Sequence, residues 1–146
     1  MKKIIIILSF ILIHFSLPAQ VKCNGGLFLK MTHKATVARG GGVRMDFMLT
    51  NRTGADIDIS FIKNTSTIVD NFGRRYSGDN IEFDFANTGL SSGMIPGGAS
   101  VKFRCTLRGI DEDATAIPLM MLKYKCSLSE DGSEWILFVR KVKLTE

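Results

Sequence analysis

Histidine is almost missing from this chain. Only His33 lies beyond the first twenty residues, so a Ser-His-Asp or Cys-His arrangement has to be built around it. It stands in "KMTHKAT", with no nucleophile-elbow motif nearby. A surface role is the expectation, given how much geometry a triad demands. Cysteine is scarce and odd in number, with Cys23, Cys105 and Cys126. There is no C-x-x-C pair and no zinc-ligand spacing, and an odd count leaves at least one thiol unpaired in a monomer. A phosphate-binding loop is also missing, because Gly40-Gly41-Gly42 is not followed by Lys-Ser/Thr and a helix. No cofactor is expected. Low-complexity segments and internal repeats are absent, and no stretch holds helical periodicity for more than about ten residues.

The first residues, "MKKIIIILSFILIHFSLPAQ", have the layout of a secretory signal peptide. Lys2 and Lys3 precede an apolar run that ends at the small residue Ala19, and the run is shorter than the roughly 20 residues that span a bilayer. Residues 1–19 are expected to be cleaved, leaving no membrane span. Lipidation of Cys23 is the lesser alternative, since Lys22 stands where the lipoprotein signal wants a small residue. Removing 19 of the 146 residues leaves 127, enough for one domain with a core. Without Lys2 and Lys3 the formal charge falls from +5 to +3. A mild excess spread along the chain suits an exported protein and argues against nucleic-acid binding. The expected location is the periplasm or exterior of a Gram-negative bacterium.

Period-two alternation dominates the chain from Val43 onward. "VRMDFMLT" sends Val43, Met45, Phe47 and Leu49 to one face, and "DIDISF" does the same with Ile57, Ile59 and Phe61. The Asn51–Gly54 turn composition between them reads as a β-hairpin, with Asp56 and Asp58 on its solvent side. "IEFDF", "VKFRCTLR" and "LMMLKYKCSL" repeat the alternation, while "WILFVRKVKL" reads as a largely buried closing strand. "GLSSGMIPGGAS" reads as a Gly/Ser/Pro loop. Residues 20–42 carry one or two weaker strands and a flexible Gly40-Gly41-Gly42 hinge, set apart from a core over 43–146. Seven to eight short strands separated by turn signals describe an all-β, immunoglobulin-like antiparallel sandwich.

Several motifs in order resemble a family of secreted bacterial immunoglobulin-like domains of uncharacterised function, found in exported antigen-like proteins and putative lipoproteins. They are "LTNRTGADIDI", then Asp70, Gly73 and Tyr76 in "VDNFGRRY", then "MIPGGASVKFRCTL" and "GIDEDATAIPLMMLKY". The resemblance covers about Val43 to Tyr124. It implies a sandwich, export and no known catalytic residues, and it carries no site across.

Candidate sites are therefore few. Asp56/Asp58 and Asp111-Glu112-Asp113 lack the D-x-[DN]-x-[DN]-G loop that organises calcium ligands, so no metal is expected. Cys105 and Cys126 both face inward on successive strands, and a core-crossing disulfide or two buried thiols fits, with a bridge involving Cys23 as the third alternative. Trp135, Phe72 and Tyr76 would make a sugar-stacking platform if they shared a solvent face; Tyr76, in a Gly-Arg-Arg-Tyr turn, is the expected exposed member. The leading expectation is a non-enzymatic domain that binds a protein or another envelope component through loops at a sandwich end. The candidate contacts are Asp70, Phe72, Arg74, Arg75 and Tyr76 in one loop and Met94 in another. A carbohydrate-binding module is the alternative.

Overall fold

The structure is a computed structural model that describes residues 26–38, 40–128 and 131–145. The expected signal segment and Cys23, with its lipidation alternative, lie outside the described residues. Among the described residues ten strands succeed one another in order: β1 (Leu27–Met31), β2 (Ala35–Ala38), β3 (Gly42–Asn51), β4 (Ile57–Val69), β5 (Arg75–Tyr76), β6 (Ile81–Phe85), β7 (Ser92–Ile95), β8 (Ser100–Leu107), β9 (Ala116–Cys126) and β10 (Trp135–Thr145).

They form two layers. In the first, β3 pairs with β1 and β2 along one edge and with β8 along the other, and β8 carries β6. In the second, β4 pairs with β9 and β9 with β10, while short β5 and β7 line the other edge of β4. These two sets match the ABED and CFG sheets of an immunoglobulin-like sandwich. The fold class is the expected one, with ten strands instead of seven or eight because short edge strands add to the count. One pairing is parallel: Leu144 and Thr145 at the end of β10 meet Ala35 and Thr36 of β2. This joins the layers, just beyond a kink at Lys141, whose φ is 57°.

The alternating residues fall as the pleat requires. Val43, Met45, Phe47 and Leu49 are buried, as are Ile57, Ile59, Phe61, Phe103, Cys105, Leu107, Leu122 and Tyr124. Residues 27–38 belong to the same core, because β1 and β2 pair with β3 and bury Leu27, Leu29 and Ala35. Aromatic rings fill the centre. Phe61 of the second layer stacks on Phe103 of the first, with centroids 4.2 Å apart, and Phe83, Phe47 and Tyr124 pack around the pair.

Three local expectations are corrected. The Asn51–Asp56 corner is not a hairpin, since β3 and β4 lie in different layers and do not pair. It is an arch organised by Asn51, which is fully buried. Its Nδ2 donates to the Ala55 and Ile95 carbonyls at 2.7 and 2.9 Å. Its Oδ1 accepts from the Thr53 N–H and hydroxyl at 2.9 and 2.7 Å. Its main chain bonds Ala99 and Gly98. Gly97 packs so closely on Gly54 that an added Cβ would lie 2.7 Å from the Gly54 carbonyl carbon. Secondly, the supposed Gly/Ser/Pro loop contains a strand: β7 pairs with Ile57–Ser60 and buries Ile95. Thirdly, the Gly40–Gly42 segment is a fastened turn and not a hinge. Gly41 sits at φ 77° with its carbonyl accepting from the Ile110 N–H, and a Cβ there would collide with the Ile110 carbonyl oxygen.

Asn51→Ala strands the Ile95 and Ala55 carbonyls and the Thr53 donors. It is expected to lower the unfolding free energy by about 3 kcal/mol, measured by urea denaturation, whereas Thr50→Ala on the exposed side is expected to change it by less than about 0.5 kcal/mol.

Candidate functional site

The loop between β4 and β5 holds most of the candidate binding residues, and its inner half is structural. Asp70 is 1% exposed. Its Oδ1 accepts the Phe72 and Arg74 N–H groups at 2.9 and 3.0 Å, and its Oδ2 accepts the Tyr76 hydroxyl at 2.8 Å. Gly73, at φ 80°, closes the turn by donating to the Asp70 carbonyl. Asp70 is thus the post around which the loop winds. Tyr76, expected at the surface, is buried, and its hydroxyl donates to the second Asp70 oxygen. Burial, the Asp70 hydrogen bond and the Asp70 charge push the Tyr76 phenol up.

The outer half of the loop remains open. Phe72 is 55% exposed, Arg75 is exposed, and Arg74 pairs with Asp111 at 3.1 Å. Met94, 53% exposed, lies on β7, which pairs along the Ile57–Ser60 half of β4, whereas the Asp70 loop leaves its other end. The two candidate loops do not converge.

The carboxylate clusters are occupied with turns. Asp56 accepts the Gly97 N–H at 3.0 Å. Asp111 accepts the Asp113 N–H as well as Arg74, and Glu112 accepts the Gly40 N–H. Among the described residues no three His, Cys, Asp or Glu side chains are grouped to hold a metal ion. His33 shares a 2.9 Å hydrogen bond with Thr32 and is exposed.

Cys105 and Cys126 are free, buried thiols, so the disulfide alternative is corrected. They sit on opposite layers, one on either side of the Phe61–Phe103 stack. Tyr124 opposes Phe61, so Cys126 lies two residues beyond that level toward the Asn51 arch, whereas Cys105 lies two residues past Phe103 in the other direction. At roughly 3.3 Å per residue they are about 13 Å apart along the strands, beyond the reach of a bridge. Burial pushes the Cys105 thiol far up. The aromatic platform is not assembled either: Trp135 is half-buried edge-on against Tyr124, Tyr76 is buried, and Phe72 stands alone.

Two surface features escaped the sequence. The first is a groove of about 600 Å³ along the free edge of β6, lined by Phe61, Lys63, Ile81, Phe83, Leu90 and Ser91 among others. The Ala86 N–H bonds Lys102 and the Arg108 N–H bonds the Asn80 carbonyl, so even-numbered residues of β6 face β8 and odd-numbered ones face outward. The Ile81 N–H bonds Gly78, and both the N–H and carbonyl of Phe85 bond the loop after it. The Phe83 N–H and carbonyl are left without a partner among the described residues. Beside them, β4 bulges at Lys63–Thr65 while Ser66 stitches Ile62 to Lys123, and Leu90 is 60% exposed.

The second is a pocket of about 310 Å³ on the outer face of the first layer, between β3 and β8. There Asp46 receives Nε of Arg44 and Nε of Arg104 at 3.1 and 2.9 Å. Burial pushes its carboxyl up, but the hydrogen bonds and charges of Arg104 and Arg44 outweigh this and hold it below the usual carboxylate range. Alternation shows these charges to be outward. Only the register shows that Arg104 lies directly between Asp46 and Asp84.

No protein-family model matches the chain, and no curated protein matches it in sequence. Solved structures similar to it include a family 123 glycoside hydrolase from Clostridium perfringens that hydrolyses glycolipid glycans, at 9% identity and a TM-score of 0.47. That match takes in 88% of this chain, which spans only 27% of the hydrolase's length. Another is the ASH/PapD-like domain 7 of human CEP192, at 13% identity and a TM-score of 0.45, covering 83% of this chain and 84% of that domain. At these scores neither likeness bears on activity.

Tyr76→Phe leaves Asp70 Oδ2 buried without a donor and is expected to lower stability by about 1–3 kcal/mol near neutral pH. The raised phenol adds a pH signature. A group whose folded value exceeds its unfolded one, here 10.0, contributes stability that is complete below the unfolded value and lost as pH rises. Wild-type stability is therefore expected to fall above about pH 10, and the Phe variant, measured by urea denaturation across alkaline pH, to show a shallower fall.

Proposed function

We propose that this protein is an exported, non-enzymatic binding domain that takes an extended segment of another protein as an added strand along β6. It resembles the secreted bacterial immunoglobulin-like domains in the order of its turn motifs, and in this reading residues 1–19 direct its export to the periplasm or exterior.

The observation that carries the reading is the open edge at Phe83. A partner strand there gains main-chain hydrogen bonds from the Phe83 N–H and carbonyl, the basis of β-augmentation. Its alternate side chains turn into the gap between the layers, onto Phe61 and Phe83, with Leu90 at the rim. Such an edge invites pairing unless it is short, charged or covered. β6 is five residues long, and its charges Glu82 and Asp84 stand on the sheet face and leave the edge at Phe83 clear. The occupant is accordingly an extended peptide segment with apolar residues at alternate positions. The expected contacts of the Asp70–Tyr76 loop shrink to Phe72 and Arg75, at a different place in the sandwich.

Peptides selected from a random library for binding to the protein provide the test, read by amide hydrogen exchange. The Phe83 amide is expected to slow at least about tenfold on peptide binding, with the Glu82 and Asp84 amides unchanged because they already bond β8. Selected peptides that leave the Phe83 amide exchanging freely would count against strand addition.

A further inference from the structure

We infer that the pocket on the outer face of the first layer is a binding site for a small oxyanion-bearing molecule, a carboxylate or phosphate on a body about the size of a sugar ring. The inference stands apart from strand addition, because it concerns side chains on the sheet face and not the main chain at the β6 edge.

Donors exceed acceptors in this pocket. His33, Arg44, Lys102, Arg104, Asn87 and Thr32 line it, and Asp46 is the only acidic residue lining it among the described residues. Arg44, Lys102 and Arg104 against Asp46 leave the lining side chains cation-rich, and the excess persists at about one charge when Asp84, ion-paired with Arg104, is counted. Asp46 takes one Nε from each arginine. A guanidinium carries five N–H donors, so each keeps four for other acceptors, and the nearest other carboxylate, Asp84, stays 4.0 Å from Arg104. Neither the Lys102 ammonium nor the Asn87 amide has a partner among the described residues.

Asp46 therefore acts as a positioning residue. Held between two guanidiniums, it fixes both planes and lowers the ordering cost of a bidentate contact to an anion. The arginine that matters most, Arg104, is itself restrained between the Asp46 and Asp84 positions on the flanking strands. Met48, opposite Lys102 in the register, supplies apolar contact for the ligand's body. A volume of about 310 Å³ stands at the small end of ligand pockets, which favours one ring over a chain.

The test is an amide NMR titration with sodium phosphate, glucuronate and glucose at constant ionic strength. Phosphate or glucuronate is expected to shift the His33, Asn87 and Lys102 amides saturably, the stronger of the two reporting the oxyanion, while glucose leaves them in place. Lys102→Glu is expected to weaken the binding by about tenfold or more, the scale of one charge-assisted hydrogen bond. Arg44→Gln is expected to weaken it in the same direction, and Lys125→Glu, exposed on β9 in the other layer, to leave it unchanged. Shifts of equal size at remote lysines, no saturable shift with either anion, or Lys102→Glu binding like the wild type would overturn the inference.

Discussion

Phe61 and Phe103 come from different layers and meet ring on ring, and the rest of the sandwich is arranged around that contact. The rings are 21° from coplanar, an offset-stacked arrangement that adds to the area they bury. Phe83 lies 5.6 Å from Phe103 and 5.3 Å from Phe61, Tyr124 lies 5.8 Å from Phe61 and Phe47 lies 6.2 Å from Phe103, so five strands contribute rings to one cluster. Its bulk separates Cys105 from Cys126 and keeps both as thiols. It also sets how far apart the layers stand at the β6 edge, where the groove opens over Phe61 and Phe83.

Around this apolar centre the chain buries polar side chains where it leaves regular pairing. Asn51 turns the chain from β3 into the other layer, Ser66 closes the bulge in β4, and Asp70 winds the loop into β5. Each is buried, and each side chain satisfies main-chain groups that a departing strand would otherwise strand in the interior. The cost of burying them is offset only while all those bonds hold, which makes these positions intolerant of small changes. Functional variation is left to the outer sheet face and the free edge.

The faces of β3, β6, β8 and most of β4 and β9 were legible because side chains alternate with period two; the alternation changes phase at the β4 bulge after Ile62 and between Ile117 and Met120 of β9. Pairing was not legible, because the same alternation fits a hairpin and an arch equally well; Asn51 chooses the arch through an interaction with Ile95, 44 residues away. β7 hid among glycines and serines since an edge strand with one buried residue has almost no pattern. Tyr76 read as a surface turn residue, although the spacing Asp-x-x-Gly-x-x-Tyr already held the hydrogen bond that buries it. The anion pocket assembles from residues on several strands and a loop. Its charges were readable as outward-facing, but their convergence depends on a register that no local pattern encodes.

A stable frame, a clear edge and a cation-rich face all presuppose layers locked together by the central rings. A double-mutant cycle on Phe61→Leu and Phe103→Leu, with unfolding free energies from urea titration, measures that lock directly. A coupling of about 0.5–1.5 kcal/mol is predicted, the double variant losing that much less than the sum of the two single losses because either change alone already removes the stack. Losses that add to within about 0.3 kcal/mol would mean that the rings do not hold the layers to each other.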